Sequence, residues 1–145
     1  MSTLDTTDPT KFMVDYLTSF NEEILRSDED AGQIVDHYYA NDISLMADGQ
    51  RMGRDDLIAH VRPIRKNRAT SRVEVHEAVV DGDRIAARYT LYVSVRGRDL
   101  VIEVHFFGRF TPDGRMFEGH MLTRNVDTDA DEFASGQAAN ESEAS

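Results

Sequence analysis

The fold is decided by two stretches, DLVIEVHFFGRF (Asp99–Phe110) and RMFEGHMLTRN (Arg115–Asn125), which alternate apolar and polar residues. Between them, TPDG (Thr111–Gly114) carries a proline, which presets φ, and an Asp-Gly pair, which tolerates positive φ. With this four-residue loop, we predict a β-hairpin in which His105 lies directly opposite His120. The hairpin is expected to form the centre of the sheet.

The predicted hairpin has two chemically different faces, because successive side chains of a strand point to opposite sides of the sheet. One face collects the apolar residues Ile102, Val104, Phe106, Phe110, Phe117 and Met121. The other collects the polar and charged residues Glu103, His105, Arg109, Glu118, His120 and Arg124. A slip of one residue would mix the two sets, so the alternation indicates which residues share a face.

The composition excludes several classes of function. A net charge of −11 opposes binding to nucleic acid or to an anionic membrane, since both need positive potential. The 145 residues include no cysteine, which excludes disulfides, thiol catalysis and zinc–thiolate sites. No apolar run approaches the roughly 20 residues of a membrane span, and the N-terminus lacks a signal pattern. We therefore predict a cytoplasmic protein that binds neither nucleic acid nor a membrane.

Helical periodicity precedes most of the strands. Apolar residues recur at three- and four-residue steps over Phe12–Ile24, and Ile34–Tyr39 predicts a second, shorter helix. A short strand is expected at Ile43–Met46, and Gly53 precedes a third helix. From Arg72 onward the period changes to two, which predicts an antiparallel meander. The chain is therefore expected to have an α+β fold, with helices packed on a curved antiparallel sheet.

The chain divides by composition into three parts. Residues 1–9 are a polar lead-in, which we expect to be flexible. Residues 10–126 carry the helical and strand patterns and are predicted to form one domain. Residues 127–145 are rich in Asp, Glu, Ala and Ser and offer little to bury, so we predict a disordered acidic tail.

Three segments carry a resemblance to a known family: IVDHYYANDISL (34–45), VVDGDRIAARY (79–89) and GRFTPDGRMFEGHML (108–122). With the order of elements, they resemble the nuclear transport factor 2-like superfamily, which includes SnoaL-like polyketide cyclases and ketosteroid isomerases. The resemblance runs from about residue 12 to residue 126. It implies a cone-shaped, cystatin-like roll, with three N-terminal helices on a curved sheet, an apolar pocket inside and a homodimer.

The resemblance also implies catalytic positions, and most of their acids are missing. Tyr16 corresponds to a first-helix tyrosine that donates a hydrogen bond to the substrate oxyanion in ketosteroid isomerases. Ala47 stands where those enzymes have the aspartate base, and Asp48 follows one residue later. Phe106 stands at the second oxyanion donor, and Met121 stands at an acid of the SnoaL-like cyclases. Proton abstraction needs a base near the reacting atom, so standard isomerase and cyclase chemistry both lack their usual groups.

We predict a small, largely hydrophobic ligand and no cofactor or metal. The candidate catalytic residues are Tyr16, Asp48, His60 and Tyr89. The candidate pocket residues are Phe20, Tyr39, Met46, Val61, Phe106, Phe110, Phe117 and Met121. Two hypotheses follow: an isomerase, cyclase or dehydratase acting on a polyketide- or steroid-like substrate, or a non-catalytic ligand-binding or accessory dimeric module. An epoxide hydrolase would need an Asp-Arg-Asp relay, and no such set is visible.

The charged face of the hairpin has three interpretations. The first interpretation is the surface of a homodimer. The second is a polar site built from two Glu-x-His pairs, and the third is a metal site shared by His105 and His120. Exposed apolar residues on an otherwise charged face favour the dimer. These residues are Phe107, Leu122 and Met116.

Overall fold

The computed structural model describes residues 7–126 and confirms the α+β class. In chain order its elements are α1 Pro9–Arg26, α2 Ala31–Tyr38, β1 Tyr39–Ala47, β2 Gln50–Met52, α3 Arg54–Lys66, β3 Thr70–Asp81, β4 Arg84–Val95, β5 Arg98–Phe110 and β6 Met116–Val126. The predicted acidic tail, 127–145, and residues 1–6 of the predicted flexible N-terminus lie outside the described residues. Within 7–126, no helix is both long and apolar enough to cross a bilayer.

Local signals begin the first two helices. The Asp8 carboxylate accepts a hydrogen bond of 3.0 Å from the Lys11 backbone nitrogen in the first turn of α1, and Pro9 there has no N–H that would need an acceptor. Asp30 opens α2 with a capping box. This helix runs directly into β1 at Tyr39, ahead of the predicted strand start at Ile43. The strand starts early because Tyr39 already pairs with β6.

The strands form one curled, unclosed sheet in the order β2-β1-β6-β5-β4-β3. All neighbours are antiparallel except β1 and β6, which run parallel. The prediction of three N-terminal helices on an antiparallel sheet is therefore corrected, since α3 follows β1 and β2 and one pairing is parallel. The crossover through α3 carries the chain to the far edge, and the meander β3–β6 then returns beside β1 in the same direction.

The central hairpin has a different register from the predicted one. His105 pairs with Leu122 rather than with His120. The connection spans residues 111–115, and a β-bulge at Phe117 follows it, so the pairing moves by two residues along β6. A shift of two residues preserves the faces of the sheet. It separates the histidines, so the prediction that they lie directly opposite each other is wrong.

The core lies between the helices and the inner face of the sheet. Its most completely buried side chains are Met13 and Ile24 of α1, Ile34 and Val35 of α2, Val61 of α3, and Ile85, Val104 and Phe110 of the sheet. Burial of each such side chain contributes about 1.5–3 kcal/mol of transfer free energy. Packing against the sheet therefore stabilises these helices more than their own propensity does.

Two glycines opposite each other leave the inner face of the sheet bare at its centre. Gly108 of β5 pairs with Gly119 of β6. A Cβ at position 108 would lie 2.2 Å from Phe106 Cζ, and a Cβ at position 119 would lie 2.7 Å from Leu45 Cδ1. The space above the glycines is therefore occupied by the Phe106 ring and the Leu45 side chain. The Phe106 side chain is buried there, with 3 % of its surface exposed.

We expect Gly108→Ala to destabilise the protein by about 1–3 kcal/mol, because the added methyl group overlaps the rigid Phe106 ring. In a Phe106→Leu background the same methyl group meets a smaller side chain, so Gly108→Ala should cost less there. Urea unfolding of the four proteins in this double-mutant cycle measures the coupling between the two positions. Equal costs in both backgrounds would show that the ring does not occupy the space above Gly108.

Candidate functional site

Three tyrosines from different elements converge inside the curled sheet. Tyr16 of α1, Tyr39 of β1 and Tyr89 of β4 are 6 %, 8 % and 4 % exposed. The Tyr16 and Tyr39 rings meet edge to face with centroids 6.2 Å apart. The Tyr89 hydroxyl interacts electrostatically with both of the others. The interior therefore holds a group of phenol hydroxyls among apolar side chains.

Two of these three hydroxyls already have polar neighbours. Tyr16 Oη donates to the backbone oxygen of Tyr38 at 2.6 Å. The Tyr39 hydroxyl interacts with the Tyr16 hydroxyl. Tyr89 forms no hydrogen bond within residues 7–126.

Burial determines the protonation of this group. Desolvation raises the pKa of Tyr39 to about 12 and raises the pKa of Tyr16 and of Tyr89 well above the ordinary value. All three phenols are therefore protonated at neutral pH, so they serve as hydrogen-bond donors and not as bases. The predicted role of Tyr16, donation to a substrate oxyanion, requires exchange of its present bond to the Tyr38 carbonyl.

Asp48, the predicted base, lies in the turn between β1 and β2 with a φ of 51°. Its carboxylate accepts hydrogen bonds from Thr123 Oγ1 at 2.6 Å and from the Thr123 backbone nitrogen at 2.7 Å. These bonds stabilise the charged form and lower the pKa of Asp48. A carboxylate in this position holds the turn against β6 and is a poor proton acceptor.

His60 lies on α3 beside the buried residue Val61, with its own side chain exposed. Desolvation nevertheless lowers the pKa of His60, which indicates a partly enclosed surface position and a neutral ring at physiological pH. Within the described residues, neither His60 nor Asp48 hydrogen-bonds to the three tyrosines. The structure thus brings Tyr16 and Tyr89 together and leaves the other two candidates outside this group.

Most of the predicted pocket residues face the interior. Tyr39, Val61, Phe106 and Phe110 are buried, and Phe20 and Met121 are half-buried against the same core. The Phe20 and Tyr39 rings lie with centroids 5.6 Å apart. These side chains form an aromatic and aliphatic wall around the tyrosine hydroxyls.

Met46 and Phe117 were predicted to line the interior, and the structure corrects both positions. Met46 pairs with His120 on the outer face of the sheet. Phe117 occupies the β-bulge, with its ring centroid 5.2 Å from the Arg109 guanidinium carbon. Met116, expected on the outer face, takes the buried position and is 4 % exposed. The alternation rule fails here because the bulge adds one residue to one strand.

An open groove of about 560 Å³ lies on the outer face of the sheet. Val79 and Phe107, both on its floor, are each 64 % exposed. Strict alternation from Val73 and Val75 would put Val79 on the inner face, but a bulge in β3 between Val75 and Glu77 turns it outward. The floor is a row of residues paired from strand to strand, namely Val79, Ala86, Phe107, His120 and Met46.

A separate group of ionisable side chains joins α1 to α2. His37 Nδ1 lies 2.9 Å from Glu23 Oε1, and His37 Nε2 lies 3.6 Å from Glu29 Oε1. Glu23 also accepts the Tyr38 hydroxyl at 2.6 Å. One atom from each of the three ionisable residues lies within 4.8 Å of the others, which is a spacing that a metal ion can use. Both ring nitrogens already face carboxylates, so the group acts as an ion-pair tie between helices.

The Glu23 hydrogen bond raises the pKa of His37 above its ordinary value. A raised folded-state pKa stabilises the fold at low pH, and the stabilisation is lost as pH rises through that value. Because the His37 side chain is 46 % exposed, screening limits the effect to about 0.5 kcal/mol. Wild type should therefore lose stability relative to His37→Gln between about pH 6 and pH 8.5, measured by urea unfolding. If the unfolding free energies of wild type and His37→Gln changed with pH in the same way, this prediction would be wrong. His105→Gln is the control and should follow the wild-type profile.

The fold agrees with a family comparison. The SnoaL-like domain family matches residues 17–119, and the chain belongs to this family. This result confirms the resemblance inferred from the sequence motifs. No curated protein sequence matches the chain significantly.

Solved structures with the same fold come from several enzymes and enzyme-like proteins. A putative isomerase from Rhodopseudomonas palustris aligns with a TM-score of 0.62 at 12 % identity, over 85 % of this chain and 96 % of that one. An LEH-like epoxide hydrolase from M. tuberculosis aligns with a TM-score of 0.58 at 16 % identity, over 79 % of this chain and 84 % of that one. IdmH, a putative polyketide cyclase from Streptomyces antibioticus, aligns with a TM-score of 0.54 at 16 % identity, over 75 % of this chain and 89 % of that one. At these identities the likeness shows the fold alone.

Proposed function

We propose that this SnoaL-like protein binds a small, largely hydrophobic molecule of a polyketide- or steroid-like kind inside the curled sheet. We propose further that it acts on this molecule as an isomerase, cyclase or dehydratase. The observation that carries the proposal is the group of protonated phenols, Tyr16, Tyr39 and Tyr89, within an otherwise apolar interior. A cytoplasmic setting belongs to the proposal, because a chain without cysteine needs no oxidising compartment.

The chemistry of such an interior depends on hydrogen-bond donors. The phenols are protonated at neutral pH, and Asp48 is held in its charged form by Thr123. Donors aimed at an oxygen stabilise the negative charge that develops there in a transition state. This arrangement favours reactions in which a carbonyl oxygen is polarised, such as ring closure, over proton abstraction by a carboxylate.

The second candidate is a non-catalytic ligand-binding or accessory module. The observation that favours it is the absence of acids at the positions that the resemblance to isomerases and cyclases implies. Ala47, Phe106 and Met121 stand at those positions, and Phe106 is fully enclosed in the core. Both candidates share the same ligand and differ only in turnover.

Binding of 1-decalone, a saturated bicyclic ketone, tests the interior as the ligand site. The chain has five tyrosines and no tryptophan, and Tyr16, Tyr38, Tyr39 and Tyr89 lie in the core, so tyrosine fluorescence reports on the interior. We expect a saturable change in wild type and weaker binding by Met121→Phe, because the larger ring takes interior volume. Phe107→Glu in the outer groove is the control and should bind normally. The absence of a saturable change in wild type would overturn the proposal.

The same complex, placed in deuterated water, separates the possible mechanisms. Without an interior base, we expect the hydrogens next to the ketone to exchange no faster than in buffer, as read by mass spectrometry. Fast exchange that Asp48→Asn abolishes would instead support a carboxylate base. Unchanged ligand recovered after long incubation would favour the accessory module.

We also propose a homodimer through the outer face of the sheet. Phe107 and Leu122, which are 64 % and 58 % exposed, leave apolar surface there. Met116, also expected to contribute, is buried and does not. Three arginines on this face are paired with acids of neighbouring strands, so acidic side chains there are partly neutralised when two chains of net charge −11 meet. The pairs are Arg88–Glu77 at 3.0 Å, Arg109–Glu118 at 3.3 Å and Arg124–Glu103 at 2.9 Å.

Sedimentation equilibrium at tens of micromolar tests the dimer. We expect a dimer mass for wild type and a monomer mass for Phe107→Glu, because the new carboxylate would be buried without a partner. Leu100→Glu is the matched control, since Leu100 is an exposed apolar residue on the opposite face of the same strand. A monomeric wild type would reject the interface.

A further inference from the structure

The Tyr89 hydroxyl is buried and has no hydrogen-bond partner within the described part of the chain. Tyr89 pairs with Val75 of β3 on one side and with Val104 of β5 on the other, and neither side chain offers an acceptor. The Phe106 ring, with its centroid 6.4 Å from that of Tyr89, is equally apolar. A buried hydroxyl without a hydrogen-bond partner destabilises a fold, so its presence in the core calls for a functional explanation.

The other tyrosines do not supply the missing partner. The Tyr16 proton goes to the Tyr38 carbonyl, and the Tyr39 hydroxyl interacts with the Tyr16 hydroxyl. Tyr89 interacts electrostatically with Tyr39 but is not hydrogen-bonded to it. Tyr89 is therefore the member of the group whose hydroxyl has no hydrogen-bond partner within residues 7–126.

We propose that the Tyr89 hydroxyl is the donor for an oxygen atom of the ligand, so that the interior selects neutral hydrophobic molecules that carry a carbonyl group. This inference rests on the proposed function and names the ligand class for the same interior. A hydrocarbon of the same shape would leave the hydroxyl unpaired. A carboxylate would have to lose its water without meeting a cation, because Thr90 is the only buried polar or charged side chain in 7–126 apart from the tyrosines.

The stability of the ligand-free protein gives the first test. We expect Tyr89→Phe to raise the melting temperature by about 2–6 °C, because it removes an unsatisfied buried hydroxyl. Tyr16→Phe should lower the melting temperature, since it leaves the Tyr38 carbonyl without its donor. Tyr92→Phe is the control on the same strand, where the hydroxyl donates to Glu74 at 3.1 Å on the outer surface, and it should bring no gain. A lower melting temperature for Tyr89→Phe would overturn the inference.

Calorimetric titration with 1-decalone, decalin and decalin-1-carboxylate gives the second test. Wild type should bind the ketone roughly tenfold more tightly than the hydrocarbon, because one hydrogen bond changes the affinity by about that factor. It should bind the carboxylate most weakly. Tyr89→Phe should bind decalin as wild type does and lose the preference for the ketone, whereas Tyr92→Phe should keep it. Equal binding of ketone and hydrocarbon by wild type would overturn this inference and leave the proposed function intact. Failure of wild type to bind all three would overturn both.

Discussion

The contact between the Phe106 ring and the paired glycines Gly108 and Gly119 constrains the rest of the interior. The bare backbone at the centre of the sheet allows the ring to lie along β5, and Leu45 closes over the neighbouring strand from β1. Any side chain at position 108 would overlap the ring, so the ring could not keep its place. The packing at the centre of the sheet therefore depends on two residues without side chains and one large aromatic residue.

The same contact shapes the chemistry of the interior. Phe106 stands where the resemblance to ketosteroid isomerases implies an acid, and its ring fills the space that a side chain at position 108 would occupy. An interior built in this way is apolar at its centre. Its remaining polar atoms are the tyrosine hydroxyls on the opposite walls, which desolvation keeps protonated. The interior therefore stabilises oxygen acceptors by hydrogen bonds and contains no charged group among its buried described residues.

The positions of helices and the faces of strands could be predicted from the sequence wherever a local pattern ran without interruption. Alternation along β5 placed Val104 and Phe106 correctly on the inner face, and the helical spacing located α1. It failed where one extra residue entered a strand, as at Phe117 and near Val79, because turn chemistry indicates a turn but does not set its length or a bulge. The parallel pairing of β1 with β6 has no local signal, since it depends on a crossover through α3.

The hydrogen bonds of the candidate site could not be read from the chain either. The Asp-Gly pair at 48–49 is typical of a turn, but nothing nearby in the sequence indicated that Thr123 would hold the Asp48 carboxylate. Likewise, Tyr16 could be recognised as a family position, whereas its bond to the Tyr38 carbonyl depends on how α1 packs against the end of α2. Residue types can be predicted from the motifs, but the partners of their protons depend on tertiary packing.

The parallel pairing of β1 with β6 has a consequence for the order in which the chain folds. Asp48 and Thr123, which tie these strands together, are 75 residues apart, so the contact closes a long loop at a high cost in chain entropy. The meander β3–β6 has only short connections and can form first. During synthesis, β1 and the hairpin it forms with β2 have no neighbouring strand until β6 has emerged from the ribosome. The N-terminal half of the domain therefore waits, with its strand edge exposed, for the last strand to be made.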